Sequence, residues 1–266
     1  MKYYLLCLAA LLLCMALGAL IVFPLLRGKR GLRGKLLLSA VVGLLLVGTA
    51  GFVFLSIYYH AGPEAEASLA SDTAVSVSGI DKGLFFDGPG TDAALIFYPG
   101  AKVEAEAYAP LMRKLAAGGL DCFLADMPLR MAVLDMEAAG AIRDANDYDV
   151  WLLAGHSLGG AVAANYASAR PDDFDALVLL AAYPSGPLPE SLRLLSVYGS
   201  EDGCLNREQY EAGRAFWPAD ARELIIEGGN HAQFGAYGPQ RGDGAACISA
   251  DEQQTQTADA ILALLG

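Results

Sequence analysis

The sequence predicts an α/β domain of three layers, with a mostly parallel β-sheet between helices, preceded by a two-helix transmembrane hairpin. Strand-length apolar runs alternate with segments of helical spacing from residue 74 to residue 266, and such alternation is typical of parallel sheets covered on both faces. The clearest run, residues 94–98, is apolar throughout, as in a strand buried on both faces. Two long uncharged runs before residue 60 predict the hairpin.

The N-terminal part of the chain has the pattern of two membrane spans. Residues 3–26 and 36–59 are each 24 residues without a charge, and residues 27–35 between them hold five cations. As a helix each run would extend about 36 Å, and the hydrocarbon core of a bilayer measures roughly 30 Å. The alternative is a cleaved signal peptide over residues 1–26, but its apolar run would exceed the usual length of about 7–15 residues.

The basic loop also predicts the orientation of the chain. Basic loops stay on the cytoplasmic side, so the N-terminus and the C-terminal body are predicted to lie outside the cell membrane. Residues 1–60 hold six Lys and Arg and no acidic residue, so all 30 Asp and Glu belong to the body. An acidic body repels phosphate backbones, which excludes nucleic acid as a partner. The sequence does not indicate an oligomeric state.

Turn residues and periodicity divide the body into elements. Small acidic residues without periodicity predict a linker over residues 61–73, followed by one domain over residues 74–266. Strands are predicted at Ala94–Tyr98, Leu120–Ala125, Val150–Ala154, Ala176–Leu180, Leu194–Tyr198 and Glu223–Ile226, with weaker edge strands at Ala74–Val77 and Gly83–Phe86. Helices are predicted at Glu104–Ala117, Ala132–Asp144, Leu158–Ala169, Arg207–Phe216 and Asp251–Leu265.

One motif between a strand and a helix is specific. Residues 155–160, GHSLGG, contain the pattern G-x-S-x-G after the strand Val150–Ala154 and at the start of a helix. A serine on so sharp a turn has strained backbone dihedrals, and the turn leaves no room for side chains at Gly155 and Gly159. The pattern predicts that Ser157 is a nucleophile.

The general base follows by elimination among three histidines. His60 lies at the predicted membrane exit, and His156 is inside the turn beside the serine. His231 lies in a glycine-rich loop directly after the last strand, where the active sites of α/β proteins gather. His231 is therefore the predicted base.

The acid follows the strand Leu194–Tyr198. Asp202 is favoured, and Glu201 is the alternative. The chain order Ser157, Asp202, His231 is that of a nucleophile, acid and base in which the acid orients the imidazole.

Two backbone N–H groups are predicted to stabilise the oxyanion. One belongs to Leu158, the residue after the nucleophile. The other is predicted at Ala101, because Pro99 has no N–H and Gly100 lets the backbone approach a substrate.

These stretches together resemble a known family. FYPGAKVEAEAYAPLMRKLAAGGLDCFLADMP, WLLAGHSLGGAVAANYA, VYGSEDG and IEGGNHAQFGAYGPQRGDG are similar to a small family of the α/β-hydrolase fold, related to dienelactone hydrolases, with membrane-anchored or secreted bacterial members. The resemblance covers about residues 75–266. It implies a serine hydrolase with a triad at Ser157, Asp202 and His231. The chain departs from the family at Ala101, where a second glycine is expected, and at Cys204 and Cys247, where aliphatic residues are expected.

The spacing of the last strands bears on the substrate. Only residues 181–193 separate two of the predicted strands, too few for a helical lid. An open cleft favours a small ester, lactone or amide over a long-chain lipid. No metal or other cofactor is expected, because a lone carboxylate such as Asp243 makes a weak metal site. An acyltransferase with the same triad and a non-catalytic binding module remain the alternatives.

A disulfide is also predicted, between Cys204 and Cys247. Cys204 lies two residues after Asp202, and Cys247 follows the His231 loop. These loops must converge for the acid to reach the base, and disulfides persist outside the membrane.

Overall fold

The computed structural model describes residue 14 and residues 16–24, 31–90 and 92–265. The described chain forms two compact units, one up to Ile57 and one from Tyr58 onward.

The first unit contains a long apolar helix, α1 (Leu32–Ser56). Its residues Leu32–Phe54 have a mean hydropathy of 2.4 and are long and apolar enough to cross a membrane, and no other helix in the described ranges meets this measure. Residues 16–24 are also helical. They pack closely on α1, since a Cβ on Gly18 would lie 2.4 Å from the carbonyl oxygen of Ser39.

These observations bear only partly on the predicted hairpin. Most of the first predicted span, residues 3–26, and residues 27–30 of the basic loop lie outside the described residues. The segment predicted as the second span, residues 36–59, is helical as α1, which begins earlier, at Leu32, and ends at Ser56. The helix therefore includes Arg33 and Lys35 of the predicted loop. Both are good helix formers, and the segment includes one glycine, Gly34, but no proline that would end the helix. Two spans and their orientation stay a prediction.

The second unit is built on one eight-stranded sheet. Its strands are β1 (Ser76–Ile80), β2 (Gly83–Asp87), β3 (Ala93–Tyr98), β4 (Asp121–Ala125), β5 (Val150–His156), β6 (Ala176–Leu180), β7 (Arg193–Gly199) and β8 (Arg222–Ile226). The order across the sheet is β1-β2-β4-β3-β5-β6-β7-β8. β2 is antiparallel to both of its neighbours, β1 and β4. All the other pairs of neighbouring strands, from β4 across to β8, are parallel. The predicted α/β class with a mostly parallel sheet is confirmed.

Helices cover both faces of the sheet. The helices are α2 (Pro63–Ala67), α3 (Ala109–Ala117), α4 (Ala138–Asp144), α5 (Leu158–Ala169), α6 (Arg207–Gly213) and α7 (Ala250–Leu262). α3 and α7 pack on the face that contains Leu95 and Phe97, and α4 and α5 pack on the face that contains Ile96. Every residue of β3 is buried as a result, which explains its continuous apolar run.

Two predicted helices are interrupted in the structure. The helix predicted at Glu104–Ala117 is a 3₁₀ turn, Ala105–Tyr108, followed by α3, because Pro110 fits only the first turn of a helix. The helix predicted at Ala132–Asp144 is a 3₁₀ turn followed by α4. The hydroxyl of Tyr98 holds that break, since it donates to Met136 O and accepts from the N–H of Ala139, each at 2.8 Å.

The predicted linker is part of the folded domain. Residues 61–73 contain α2, which begins at Pro63 and buries Ala65 completely. Proline is pre-organised for the first helical position, and Glu64 and Glu66 stabilise the N-terminal end of the helix. The domain thus begins near Tyr58, and the predicted boundary at residue 74 is corrected.

Candidate active site

The candidate nucleophile lies on a strained turn at the carboxyl end of a central strand. Ser157 follows β5 directly and has φ +53° and ψ −122°, a conformation that L-residues rarely adopt. Its N–H donates to the carbonyl of Leu180 on the neighbouring strand at 2.9 Å. α5 begins at the next residue, so its free N-terminal amides lie beside the serine.

The two glycines of the turn are required by close backbone contacts. A Cβ on Gly155 would lie 2.6 Å from the backbone carbon of Gly159. A Cβ on Gly159 would lie 2.2 Å from the carbonyl oxygen of Tyr98. These distances are below any real Cβ contact, so the start of α5 can pack on β3 only without side chains here.

Asp202 and His231 are brought together in the buried part of the site. Asp202 Oδ2 lies 2.9 Å from His231 Nδ1, and both residues are buried. The other carboxylate oxygen accepts the N–H groups of Cys204 and Leu205, each at 2.8 Å. Since an ionised carboxylate only accepts, the Nδ1 of His231 carries the proton in this contact, and Nε2 is free to accept one.

Ser157 and His231 line the same cleft. Its volume is about 260 Å³, and its lining includes the apolar side chains of Ala161, Ala182 and Leu205. An imidazole held by a carboxylate and facing the same cleft as a serine can accept the hydroxyl proton. A larger cavity of about 530 Å³ borders residues 227–249 between β8 and α7, called the base loop below, but neither Ser157 nor His231 lines it.

The alternative acid is not positioned for this role. Glu201 is exposed, and its carboxylate accepts from the hydroxyl of Ser200 at 3.0 Å.

Asp243 differs from Asp202 and Glu201 in that, among the described residues, it binds only backbone N–H groups. Its carboxylate accepts the N–H groups of Gly203 at 3.1 Å, His231 at 3.2 Å and Ala232 at 2.8 Å. Asp243 therefore joins the base loop to residues 200–206 between β7 and α6, called the acid loop below.

Asp243 also belongs to a group of three possible metal ligands. Asp202, Cys204 and Asp243 place one ligand atom each within 4.8 Å of one another. Both carboxylates already accept backbone N–H groups, and burial together with the two carboxylates raises the pKa of the Cys204 thiol. Each of the three side chains thus already has a hydrogen-bond partner within the described chain.

The two amides predicted to stabilise the oxyanion are both unpaired among the described residues, and their role stays a prediction. Within the described chain, no hydrogen-bond acceptor is found for the N–H of Leu158 or of Ala101. The residues on either side of Ala101 are held: Gly100 N–H donates to the hydroxyl of Tyr108 at 3.0 Å, and Lys102 N–H donates to Arg130 O at 2.8 Å. Residues 99–104, called the oxyanion loop below, thus present one free amide between two bonded ones.

Two buried side chains beneath this loop, Tyr108 and His156, meet in a way that the sequence does not predict. The Tyr108 hydroxyl lies 2.7 Å from His156 Nδ1, and both side chains are fully enclosed. Burial first, and the nearby His231 second, hold the pKa of His156 well below its usual value. The His156 and His231 rings are 4.5 Å apart between centroids. No local pattern pairs Tyr108 with His156, because 48 residues separate them.

The predicted disulfide is absent. Cys204 and Cys247 are both free thiols. Cys204 faces residues 240 and 241 of the base loop and not Cys247. Its Sγ lies 3.4 Å from Gln240 Nε2 and 4.0 Å from Arg241 O. Cys247 is exposed, and its N–H is bonded to Gly228 O at 2.7 Å. The two loops converge as expected, but Asp243 joins them and the cysteines do not.

The sequence of the second unit matches a known protein family. The sequence pattern described as "Alpha/beta hydrolase family" matches residues 94–255, which is more than half of the chain. The chain belongs to the α/β-hydrolase family. The curated proteins, by contrast, include no matching sequence.

Solved structures share the fold of this α/β hydrolase at low sequence identity. Carboxylesterase CesB (YbfK) from Bacillus subtilis has a TM-score of 0.52 at 11% identity, over 76% of this chain and 94% of the esterase. A dienelactone hydrolase from Anabaena variabilis has a TM-score of 0.51 at 17% identity, over 73% of this chain and 96% of its own. Est1E from Butyrivibrio proteoclasticus has a TM-score of 0.51 at 16% identity, over 73% and 98%. The likeness to these structures supports the hydrolase fold.

Proposed function

We propose that this α/β hydrolase is a membrane-tethered serine hydrolase that acts outside the cytoplasm on a small ester, lactone or amide. The observation that carries the proposal is the 2.9 Å contact between Asp202 and His231, in a site whose cleft the strained Ser157 shares. The esterase and dienelactone hydrolase structures of the same fold support a carboxylic-ester substrate. The apolar helix α1 supports the tether.

The first half of the proposed reaction forms an acyl-enzyme. Ser157 Oγ attacks the carbonyl carbon while His231 Nε2 takes the hydroxyl proton. The N–H groups of Leu158 and Ala101 stabilise the oxyanion, and Asp202 stabilises the imidazolium. The tetrahedral intermediate then expels the alcohol or amine, which receives the proton from His231.

The second half releases the acid. A water molecule gives a proton to His231 and attacks the acyl carbon, and the second tetrahedral intermediate expels the serine, which takes the proton back. Residues 181–192, between β6 and β7, contain no helix or strand. The resulting open cleft, about 260 Å³ in volume, suits a small acyl group.

The test is labelling with a fluorophosphonate probe together with turnover of p-nitrophenyl acetate. Wild type is expected to be labelled, and Ser157→Ala to lose the label and about 10⁴–10⁶ in kcat. Ser185→Ala is the matched control, because Ser185 is exposed and bonded to Asn165 instead. A folded wild type that the probe does not label would leave a binding module as the better reading. Acyl transfer to an added alcohol in preference to water would favour the acyltransferase.

A further inference from the structure

The segment that follows the apolar helix pairs with the oxyanion loop. Residues 58–62 come directly after α1 and belong to the second unit. The N–H of Tyr59 donates to Lys102 O at 2.7 Å, and the N–H of Glu104 donates to Tyr59 O at 3.0 Å. The two bonds form a parallel bridge between Tyr59 and Val103. This segment, residues 58–62, is called the juxtamembrane strap below.

Side chains strengthen this pairing on both sides of the bridge. The N–H of Ala61 donates to Glu104 Oε2 at 2.8 Å, and His60 Nδ1 lies 3.2 Å from Glu104 Oε1. The guanidinium of Arg130 lies 3.5 Å from the ring centroid of Tyr58. Arg130 is the residue whose carbonyl holds the oxyanion loop from the other side.

The strap also contacts the chain that follows the candidate base. Gly62 N–H donates to Ala236 O at 2.7 Å, and the hydroxyl of Tyr59 accepts the N–H of Arg241 at 3.1 Å. The rings of Tyr59 and Tyr237 are 5.5 Å apart. One short segment therefore joins the loop after β3 to the loop after β8.

We propose that the juxtamembrane strap positions the oxyanion loop, with Tyr59 and Glu104 as positioning residues; the inference rests on the proposed hydrolase function. Residues 99–104 form no helix or strand beyond this single bridge, and Lys102 has a left-handed φ of +60°. Within the loop, the N–H of Val103 donates to Gly100 O at 3.3 Å, and further backbone bonds that hold the loop come from Tyr59, Tyr108 and Arg130. The direction of the Ala101 N–H thus depends in part on hydrogen bonds from outside the loop. Oxyanion stabilisation requires donors that are fixed before the reaction, so the strap contributes to rate more than to substrate binding.

By positioning the oxyanion loop, the strap does more than a spacer between membrane and domain would do. Tyr59 does not touch the substrate; it acts through the loop that carries Ala101. Loosening the strap should weaken the binding of a tetrahedral anion and leave the binding of the neutral ester unchanged.

The experiment uses the full chain in detergent and compares Tyr59→Pro and Glu104→Ala with wild type. Proline removes the N–H that bonds to Lys102, and alanine removes the carboxylate that holds Ala61. The measurements are kcat and KM for p-nitrophenyl acetate and the inhibition constant of phenylboronic acid, which forms a tetrahedral anion on a catalytic serine. Each variant is expected to lose roughly tenfold in kcat, with KM within about twofold of wild type and boronate binding weakened in step with kcat.

Glu190→Ala is the matched control. Glu190 also accepts a backbone N–H, that of Ala219 at 3.2 Å, but it precedes β7 at the opposite end of the sheet. Its kcat and boronate inhibition should equal those of wild type.

The outcomes separate this inference from the proposed function. If both strap variants keep kcat and boronate binding within about twofold of wild type, the strap does not position the loop, and the hydrolase proposal stands. A fall in kcat that follows only the loss of folded protein, with boronate binding of the folded fraction unchanged, also overturns the inference. A folded wild type that neither hydrolyses the ester nor binds the boronate overturns both proposals.

Discussion

A buried hydrogen-bond chain beneath the oxyanion loop is the most unusual feature at the scale of single residues. The hydroxyl of Tyr108 accepts from Gly100 N–H and is hydrogen-bonded to His156 Nδ1 at 2.7 Å, so it links the oxyanion loop to the imidazole. The other ring nitrogen, Nε2, has no partner of full hydrogen-bond geometry in the described chain, and a backbone group of His231 close to the ring opposes the effect of burial on the pKa only in part. An enclosed imidazole of this kind stays neutral, because burial disfavours the charged form.

The neutral His156 predicts a pH dependence of stability. Its pKa is lowered in the folded state from 6.5, so below that pH the unfolded chain binds a proton that the folded chain does not. The free energy of unfolding should therefore fall with falling pH, with a limiting slope of about 1.4 kcal/mol per pH unit from this group. His156→Gln keeps an acceptor for Tyr108 and removes this contribution.

Urea unfolding of wild type and His156→Gln, at about pH 7.5 and about pH 5.5, tests this prediction. The chain's two tryptophans, Trp151 and Trp217, both lie in the second unit, so their fluorescence reports on the hydrolase domain. The stability difference between the two proteins should move in favour of the variant at the lower pH. An unchanged difference would contradict a lowered pKa.

The acid assignment gives a second prediction for single residues. Asp202→Asn should lower kcat by about 10²–10⁴, because an amide cannot stabilise the imidazolium and favours the wrong tautomer. Glu201→Gln should keep nearly full activity, since its carboxylate contacts only Ser200 among the described side chains. Steady-state kinetics with p-nitrophenyl acetate measures both. Loss of activity in Glu201→Gln alone would reverse the assignment.

At the scale of elements, the packing of α5 on β3 decides the shape of the nucleophile turn. A Cβ on Gly159 would lie 2.2 Å from Tyr98 O and 2.3 Å from Pro99 O, and neither backbone carbonyl can move without shifting the oxyanion loop. The turn at Ser157 and the oxyanion loop are therefore held at a fixed distance by direct backbone contact.

Gly159→Ala should consequently destabilise the domain by at least about 1–3 kcal/mol and remove most activity. Gly186→Ala is the matched control, because a Cβ on Gly186 meets nothing within 4 Å. Thermal unfolding followed by tryptophan fluorescence, together with ester turnover, measures both effects. Equal melting temperatures for the two variants would show that the turn can relax.

At the scale of the whole molecule, the proposed orientation can be tested with a cysteine that is already present. Cys247 is exposed and free, Cys122 is buried, and Cys204 is half-buried. If the hydrolase domain is extracytoplasmic, a membrane-impermeant maleimide should label Cys247 in intact cells. Cys247→Ser should remove most of this label. Labelling that requires cell lysis would place the domain in the cytoplasm and contradict the predicted orientation.

Apolar runs and local motifs were enough to predict most of the sheet and the sharp turn at Ser157. The predicted α5, Leu158–Ala169, and β6, Ala176–Leu180, have the observed bounds, because each is delimited by its own turn residues and buried on faces that its own pattern displays. The Gly–Ser–Gly spacing around Ser157 is likewise a local requirement of one sharp turn. In each of these cases the physical constraint acts within a few residues of sequence.

The contacts that complete the site were decided by tertiary structure. Asp243, in place of a disulfide, joins the acid and base loops, Tyr108 meets His156, and Tyr59 meets Lys102. Each contact joins residues that are far apart in the chain, and none of these residues has a neighbouring pattern that marks its partner. The sequence by itself determined the sheet and the strained turn at Ser157, because burial and turn geometry are local demands, and it predicted the chain order of the proposed nucleophile, acid and base. Which side chains hold the loops in place depended on how the carboxyl ends of the strands converge, and only the folded chain brings those ends together.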